Sequence, residues 1–365
     1  MVRTVKSGVK SFLCGVLAVF LLCLAGLCLW TRTSGFDFPA SRAVLAAAAL
    51  TMPDGNIPTV TVTDSSSATE STSASAFFTE PSSYATATHD ETIYSEDPTI
   101  YDSQVHFPVI ESLYSSGEFG YNDFFVKNTT SYNPDIGEYL ASPLGFDFEK
   151  SDKIQVLIYH THTSESYITY DAGYYHESFY PRSTDNERNM IRVGEAIAEG
   201  LRKQGIGVVH ATEVHDSPEY TGAYTRSRNT IEKYLEQYPD IKVVLDIHRD
   251  SISYGSDGGK IKPTFTHNGN KAAQIMIMSG YDGAGTRDFP FWEENLTFAL
   301  KLQDTAEKMY PGMTRPLYFG NFAYNMNVNN GSLLIEVGTD VNTLSEAVYT
   351  GELLANVLAK VLQSG

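Results

Sequence analysis

The sequence predicts an α/β fold: a single three-layer domain over residues 153–365, with a central mostly parallel or mixed sheet and helices on both faces. Three observations predict it. Short apolar, β-branched runs recur from Lys153 onward, segments with apolar residues at helical spacing separate them, and strand and helix alternate to the end of the chain. The first run, Ile154-Gln155-Val156-Leu157-Ile158-Tyr159, reads as a buried strand. Glu187 to Gln204 follows as a helix, with Met190, Ile191, Val193, Ile197, Ala198 and Leu201 on one face and Gly205 as its stop. Val208-Val209 is then a strand and Arg228 to Tyr238 a helix. Lys242 to Ile247 and Ala273 to Met278 are further strands, Phe291 to Met309 a helix, Leu333 to Ile335 a strand, and Thr343 to Leu362 the closing helix.

Upstream the composition changes. Ser11 to Trp30 is uncharged and almost wholly apolar, and ~20 residues at helical rise span ~30 Å, the hydrocarbon thickness of a bilayer. Arg3, Lys6 and Lys10 precede it, so the expectation is a cytoplasmic segment over 1–10, a single transmembrane anchor over 11–30, and the remainder on the extracytoplasmic side of the cell membrane. Residues 31–106 form a low-complexity linker, in which eleven of the twenty residues from Thr61 to Glu80 are Ser or Thr. So little apolar surface cannot offset the entropy of ordering the backbone, and the segment from about Asp54 is expected to be a disordered tether with a reach of ~40 Å. Residues 107–152, richer in aromatics, are expected to pack on the domain edge.

Charge and cysteine usage exclude several chemistries. The net charge is −18, from 26 basic and 44 acidic residues, which argues against a nucleic-acid groove. Twelve of the acidic residues fall between Arg42 and Lys127, where there is no Lys or Arg, so the imbalance belongs mainly to the linker. Cys14, Cys23 and Cys28 all lie in the apolar run, which removes disulfides, cysteine zinc knuckles and Cys-His catalysis from the body of the protein.

In open α/β sheets, ligand sites gather beyond the carboxyl ends of the strands. Three predicted strands end in polar groups: His160-Thr161-His162-Thr163-Ser164-Glu165, then Asp246-Ile247-His248-Arg249-Asp250, then Glu336-Val337-Gly338. Glu187 opens the long helix. Histidines at two strand ends plus a carboxylate at a helix start are the donor types of a catalytic zinc, which needs three protein ligands and one open position. A further carboxylate, Glu336 on an apolar strand, is costly to bury unless paired or functional and suits a general base. Spacing alone leaves the substrate open.

These same residues carry a resemblance. Val156 to Tyr167, Asp246-Ile247-His248-Arg249-Asp250, Leu334-Ile335-Glu336-Val337-Gly338 and Tyr324-Asn325-Met326-Asn327 resemble the stage II sporulation protein P family, peptidoglycan hydrolases of endospore-forming bacteria. That family is similar in turn to zinc-dependent N-acetylmuramoyl-L-alanine amidases. The resemblance implies Zn2+ held by His162, Glu187 and His248, with Glu336 as the catalytic carboxylate. His160 and Glu165 are rival ligands, because Tyr159-His160-Thr161 departs from the amidase pattern at the first strand. Arg249 and Asp250 are candidates for orienting a ligand or substrate. The implied reaction is cleavage of the amide between N-acetylmuramic acid and L-alanine, with cleavage of peptide cross-links as a second activity, in septal wall thinning and engulfment. The implied partners are peptidoglycan and the stage II sporulation proteins D and M. Another zinc hydrolase of the wall, a peptidase or deacetylase, and a catalytically silent wall-binding scaffold are the rival readings. His176, in the Tyr170 to Tyr180 loop, is a candidate for lining a substrate groove, and His210, His215 and His267 read as structural.

Overall fold

The computed structural model describes residues 95–115, 119–151 and 153–364. The segments expected over 1–10, 11–30 and most of 31–106 lie outside the described residues. Among the described residues no helix is long and apolar enough to cross a membrane.

The described chain is a mixed α/β domain built on two sheets. The larger has eight strands. In chain order it uses β2 (Phe119–Tyr121), β3 (Phe124–Asn128), β4 (Ile154–Tyr159), β6 (Gly207–His210), β7 (Val243–Asp250), β11 (Ile275–Gly280), β12 (Leu317–Gly320) and β13 (Ser332–Thr339). Across the sheet they lie in the order β2-β3-β12-β11-β13-β7-β4-β6. Strands β13, β7, β4 and β6 run parallel to one another, whereas β11 runs against β13 and carries β12 and β3 with it. The sheet is therefore mixed.

The smaller sheet was not foreseen. It is formed by β10 (Asn270–Ala273), β9 (Gly259–His267), β1 (His106–Ser112) and β5 (Tyr174–His176) in that order, with the short β8 (Ser253–Tyr254) paired to β9. Strand β1 comes from the stretch expected only to pack on an edge, yet it pairs parallel to β9 and antiparallel to β5. The strand signals were weak because β1 is mostly half-exposed and carries Pro108.

Side-chain alternation along each strand sends every second residue to the opposite face. One face holds Val156 and Ile158 of β4, Val243, Leu245 and Ile247 of β7, and Leu333, Ile335 and Val337 of β13. These pack against α2 (Met190–Lys203), α4 (Trp292–Met309) and α5 (Leu344–Ser364). The short α1 (Ile136–Ala141) also lies against this core through Ile136 and Leu140. The other face holds Leu157, Tyr159 and Val244 against Ile231 of α3 (Ala223–Gln237). Farther along that face, Met276, Met278 and Leu334 pack under Met326 and Phe322 of the segment joining β12 to β13. The registers place Asp246, His248 and Glu336 on this second face.

Two boundary shifts matter for function. The helix expected from Glu187 begins at Met190, because the Asn189 side chain accepts from Ile191 N at 3.0 Å and caps it, which leaves Glu187 in the preceding turn. The strand expected to end at Ile247 continues to Asp250, its extension held by β13 through the pairs Glu336–His248 and Thr339–Asp250.

Candidate active site

Parallel pairing of β4, β7 and β13 brings three strand ends together, and the candidate site forms there. Glu336 lies directly opposite His248 in the β13–β7 register. His162 stands in the buried turn 160–165 that follows β4. Its ring crosses that of His248 at a centroid distance of 5.3 Å and an angle of 84°.

Each imidazole is held on one side. Tyr220 stacks on His162 at 4.4 Å and 6°, and the Tyr220 hydroxyl shares a 3.0 Å hydrogen bond with His162 Nε2. His162 Nδ1 is buried without a hydrogen-bond partner, 3.9 Å from Asp216 Oδ2. His248 has Nδ1 3.4 Å from Glu165 Oε2 and Nε2 2.8 Å from Asp246 Oδ1, the latter close but not aligned as a hydrogen bond. Asp246 accepts from the Thr161 backbone N at 2.8 Å and from Thr161 Oγ1 at 2.7 Å, so the same carboxylate ties the β4 turn to β7.

The electrostatics divide the groups. Burial pushes the His162 imidazole down to about 4, against the pull of Glu165, so it is neutral at physiological pH. Burial also opposes charge on His248, but Asp246 and Glu165 outweigh it and raise its pKa well above the ordinary value. For Glu165, burial is offset by Arg249, His248 and His162, which hold its carboxyl below the usual range. Glu336 goes the other way: burial, then Asp250, push it well above the carboxylate range. Its Oε2 is enclosed and has no hydrogen-bond partner, although the residue as a whole is half-buried.

Glu187 does not join this group. Its side chain is 66% exposed and its recorded partner is Arg192 Nε at 3.9 Å. The physical reason is the Asn189 cap, which starts the helix three residues late and turns Glu187 outward. The carboxylates found beside His248 are Asp246, which also holds Thr161, and Glu165, expected only as a rival ligand. Among the described residues, no three His, Cys, Asp or Glu side chains are already gathered in a group that could hold a metal ion, so the His162–Glu187–His248 set is not assembled here. In donor types, two imidazoles and a carboxylate, His162, His248 and Glu165 fit a divalent cation; the ring nitrogen left without a hydrogen bond is Nδ1 of His162, nearest Asp216, and Nε2 of His248, nearest Asp246.

The other rival, His160, has Nδ1 2.8 Å from Ile247 O and Nε2 2.9 Å from His210 Nε2, and His210 Nδ1 is 2.8 Å from Glu195 Oε2. This chain of contacts braces the β4 turn against β7 and α2. It closes over Gly194, where a Cβ would come within 2.6 Å of Nε2 of both histidines. Alanine ordinarily stabilises a helix by ~1 kcal/mol relative to glycine. At this position Gly194→Ala is expected to destabilise instead, by ~1–3 kcal/mol of overpacking, read by denaturant unfolding.

Arg249 is nearly buried and donates from Nη2 to Pro181 O at 2.7 Å and from Nε to Ser166 O at 3.2 Å, with its backbone N 3.3 Å from Glu165 Oε2. Asp250 accepts from Arg315 Nη2 at 2.7 Å. His176 lies in β5, stacked on Tyr101 at 3.7 Å, and so belongs to the second sheet. His215 bonds to His160 O and Thr230 Oγ1, and His267 meets Tyr310 edge-on.

Sequence reasoning missed Asp246, Tyr220, Tyr224 and Arg315. Asp246 had a readable signal: it sits two residues before His248 on a strand, which puts both on one face, and it is a charge within an otherwise apolar run. The tyrosines and Arg315 come from loops and a helix start, where nothing in the local pattern places them. Arg315 is buried beside Asp250 with Nε and Nη1 unpartnered.

Comparison with known proteins gives a family match and several solved structures to which the chain is distantly similar. The sequence model of the family described as Stage II sporulation protein P (SpoIIP) matches residues 58–359. The stage II sporulation protein P of Bacillus subtilis (strain 168) is 28% identical over 221 residues, covering 58% of this chain and 51% of that protein. The chain thus aligns with about half the length of this curated relative. Among solved structures, the N-acetylmuramoyl-L-alanine amidase AmiC2 of Nostoc punctiforme is 14% identical over 59% of this chain and 97% of its own, with a TM-score of 0.36. The catalytic domain of the amidase CwlV from Bacillus (Paenibacillus) polymyxa is 12% identical over 58% and 100%, with a TM-score of 0.35.

Proposed function

The chain belongs to the stage II sporulation protein P family, and from that premise we propose that it is a zinc-dependent peptidoglycan hydrolase of endospore formation. The bond cleaved is the amide between N-acetylmuramic acid and L-alanine, and the enzyme works from the outer side of the cell membrane on an amino-terminal anchor. The observation that carries this reading is the approach of His248 to both His162 and Glu165, opposite Glu336, whose Oε2 is enclosed without a hydrogen-bond partner, at one end of three parallel strands.

His162, His248 and Glu165 would hold the metal. When bound, zinc supplies a Lewis acid that polarises a carbonyl and lowers the pKa of water towards ~7. The chain's own residues do the rest. Tyr220 fixes the His162 ring through Nε2 and leaves Nδ1 without a hydrogen-bond partner. Asp246 sets the His248 ring angle, as a carboxylate behind a ligating histidine does. Arg249 and Arg182, each 3.8 Å from Glu165 Oε1, keep that carboxylate ionised and in place. Glu336 takes a proton from the attacking water and returns it to the departing amine, a role suited by a pKa raised towards the working pH.

The test separates the carboxylates. Metal content of the full chain is expected to fall in His162→Ala, His248→Ala and Glu165→Ala and to stay at the wild-type level in Glu187→Ala. Purified muropeptides should yield stem peptides with a free amino-terminal L-alanine. Retention of stoichiometric zinc by Glu165→Ala, with its loss in Glu187→Ala, would overturn the ligand assignment. Release of acetate or of cross-link fragments alone would overturn the amidase assignment.

A further inference from the structure

Beside the site runs a row of aromatic rings that the proposed chemistry does not use. From His162 it steps to Tyr224 at 5.7 Å, to Tyr324 at 5.3 Å, to Phe322 at 4.9 Å and to Tyr318 at 5.2 Å, and the Lys127 Nζ lies 5.0 Å over the Tyr318 ring at its far end. Tyr224 opens α3 and Tyr318 is in β12, so the row crosses the second face of the sheet from the end of β4 to β12. Each of Tyr224, Tyr318, Phe322 and Tyr324 is half-buried rather than enclosed.

The backbone spends strain to keep it there. Tyr324 and Asn325 have φ of 40° and 59°, a left-handed conformation unusual for a bulky side chain such as tyrosine. Consecutive residues in this region cost free energy that the surroundings must over-determine, and such residues cluster at functional sites. The lock is visible: Asn325 Nδ2 donates to Tyr224 O at 2.9 Å and to Ser227 Oγ at 3.1 Å, and Ser227 Oγ is 2.8 Å from Thr161 Oγ1. The same residue that bends the Tyr324 loop pins it to α3 and, through Ser227, to the turn that carries His162.

We propose that this row is a glycan subsite, which seats the sugar strand of the substrate so that its lactyl amide meets Glu336. The inference rests on the hydrolase reading and names where one half of its substrate lies. Two arguments lead to a sugar. Pyranose rings present a face of C–H groups and a rim of hydroxyls, which suits half-exposed rings of tyrosine and phenylalanine with polar tips. Further, the carbonyl of the scissile amide is attached to the sugar through its lactyl ether, so the sugar must occupy space contiguous with Glu336. Tyr224 has that continuity: its ring stands edge-on to His162, His162 crosses His248, and His248 lies opposite Glu336. Outside the acidic stretch between Arg42 and Lys127 the remaining 32 acidic residues still outnumber the 26 basic ones, a poor host for a nucleic-acid strand, the other polymer that stacks on aromatic rows.

The probe is chitotetraose, a β-1,4-linked N-acetylglucosamine oligomer with no stem peptide, titrated calorimetrically into the full chain. Wild type is expected to bind it. Phe322→Leu and Tyr318→Leu, which keep apolar bulk but remove the rings, are expected to bind about tenfold or more weakly, while Tyr318→Trp retains binding. Thermal unfolding of each variant shows whether the fold persists. Saturation that never develops in wild type at about millimolar glycan overturns the proposal, as does binding unaffected in both leucine variants. Glu336→Gln should bind chitotetraose as wild type does. Glycan binding without any release of stem peptide from muropeptides would therefore defeat the hydrolase reading and leave the subsite standing, and cleavage without glycan binding would do the reverse.

Discussion

Glu336→Gln is expected to lower hydrolysis of peptidoglycan by ~10²–10⁴-fold while leaving metal content unchanged, because the amide keeps the shape of the carboxyl but cannot carry a proton to and fro. Muropeptide release by the purified full chain, with zinc measured on the same sample, checks both halves. Equal turnover in the variant would remove the catalytic role assigned to Glu336. A stability signature accompanies it. The pKa of Glu336 is raised in the folded protein by burial and Asp250. Its protonated form therefore favours folding: the contribution is fully present below the unfolded carboxyl pKa and is lost as pH rises through the folded value. In metal-free protein the wild type should thus melt lower relative to Glu336→Gln as pH is raised from about 4 to about 9. A gap that widens towards acid instead would mean that Glu336 is held as an anion.

The second large effect lies where the smaller sheet meets α5. Lys262 on β9 is 1% exposed, with Nζ 2.7 Å from Glu346 Oε1 and 2.9 Å from Asp171 Oδ1. These are ion pairs by distance rather than aligned hydrogen bonds. Glu346, in the first turn of α5, is 3% exposed, and its Oε2 accepts from Asn342 Nδ2 and Thr343 N at 3.0 Å. Lys262→Ala strands that carboxylate without its cation and is expected to cost ~3–5 kcal/mol, seen as a fall in the denaturation midpoint. Lys262→Met combined with Glu346→Gln should cost less than the single alanine change, because no buried charge is then left alone. A double variant weaker than Lys262→Ala would show that the ion pair itself, not the avoidance of a lone charge, is what stabilises this contact.

What could be read beforehand follows from which forces are local. The buried strands β4, β7 and β13 and the helices α2, α4 and α5 write their periodicity into consecutive residues, so their positions were legible to within a few residues. His162, His248 and Glu336 were legible for the same reason, being polar groups at the ends of apolar runs. Glu187 misled because a carboxylate at a helix start and one just before the cap differ only in whether Asn189 accepts from Ile191, a choice local sequence does not settle. Glu165 stood in plain view in the first motif, but its approach to His248 depends on how the 160–165 turn folds over β7. The smaller sheet was invisible because its strands come from three distant stretches, 106–112, 174–176 and 259–273: β1 is half-exposed, β5 and β10 are short, and β9, though long and mostly buried, carries Lys260, Lys262 and Pro263. Tyr224 and Tyr324 likewise meet only in the fold, across the Asn325 bridge.

The placement of β1 and β3 bears on where a folded fragment can begin. Strand β1 is interior to its sheet, between β9 and β5, and β3 is interior to the other, between β12 and β2. Glu96, upstream of both, already donates its backbone N to Thr169 O at 2.9 Å and accepts from Thr169 Oγ1 at 2.6 Å. Trimming the polypeptide at the start of β4 would strip β9, β5 and β12 of their neighbours and leave rows of unsatisfied main-chain groups open to pairing with another molecule. The autonomous unit of this protein therefore starts no later than Glu96, more than fifty positions before its first catalytic motif.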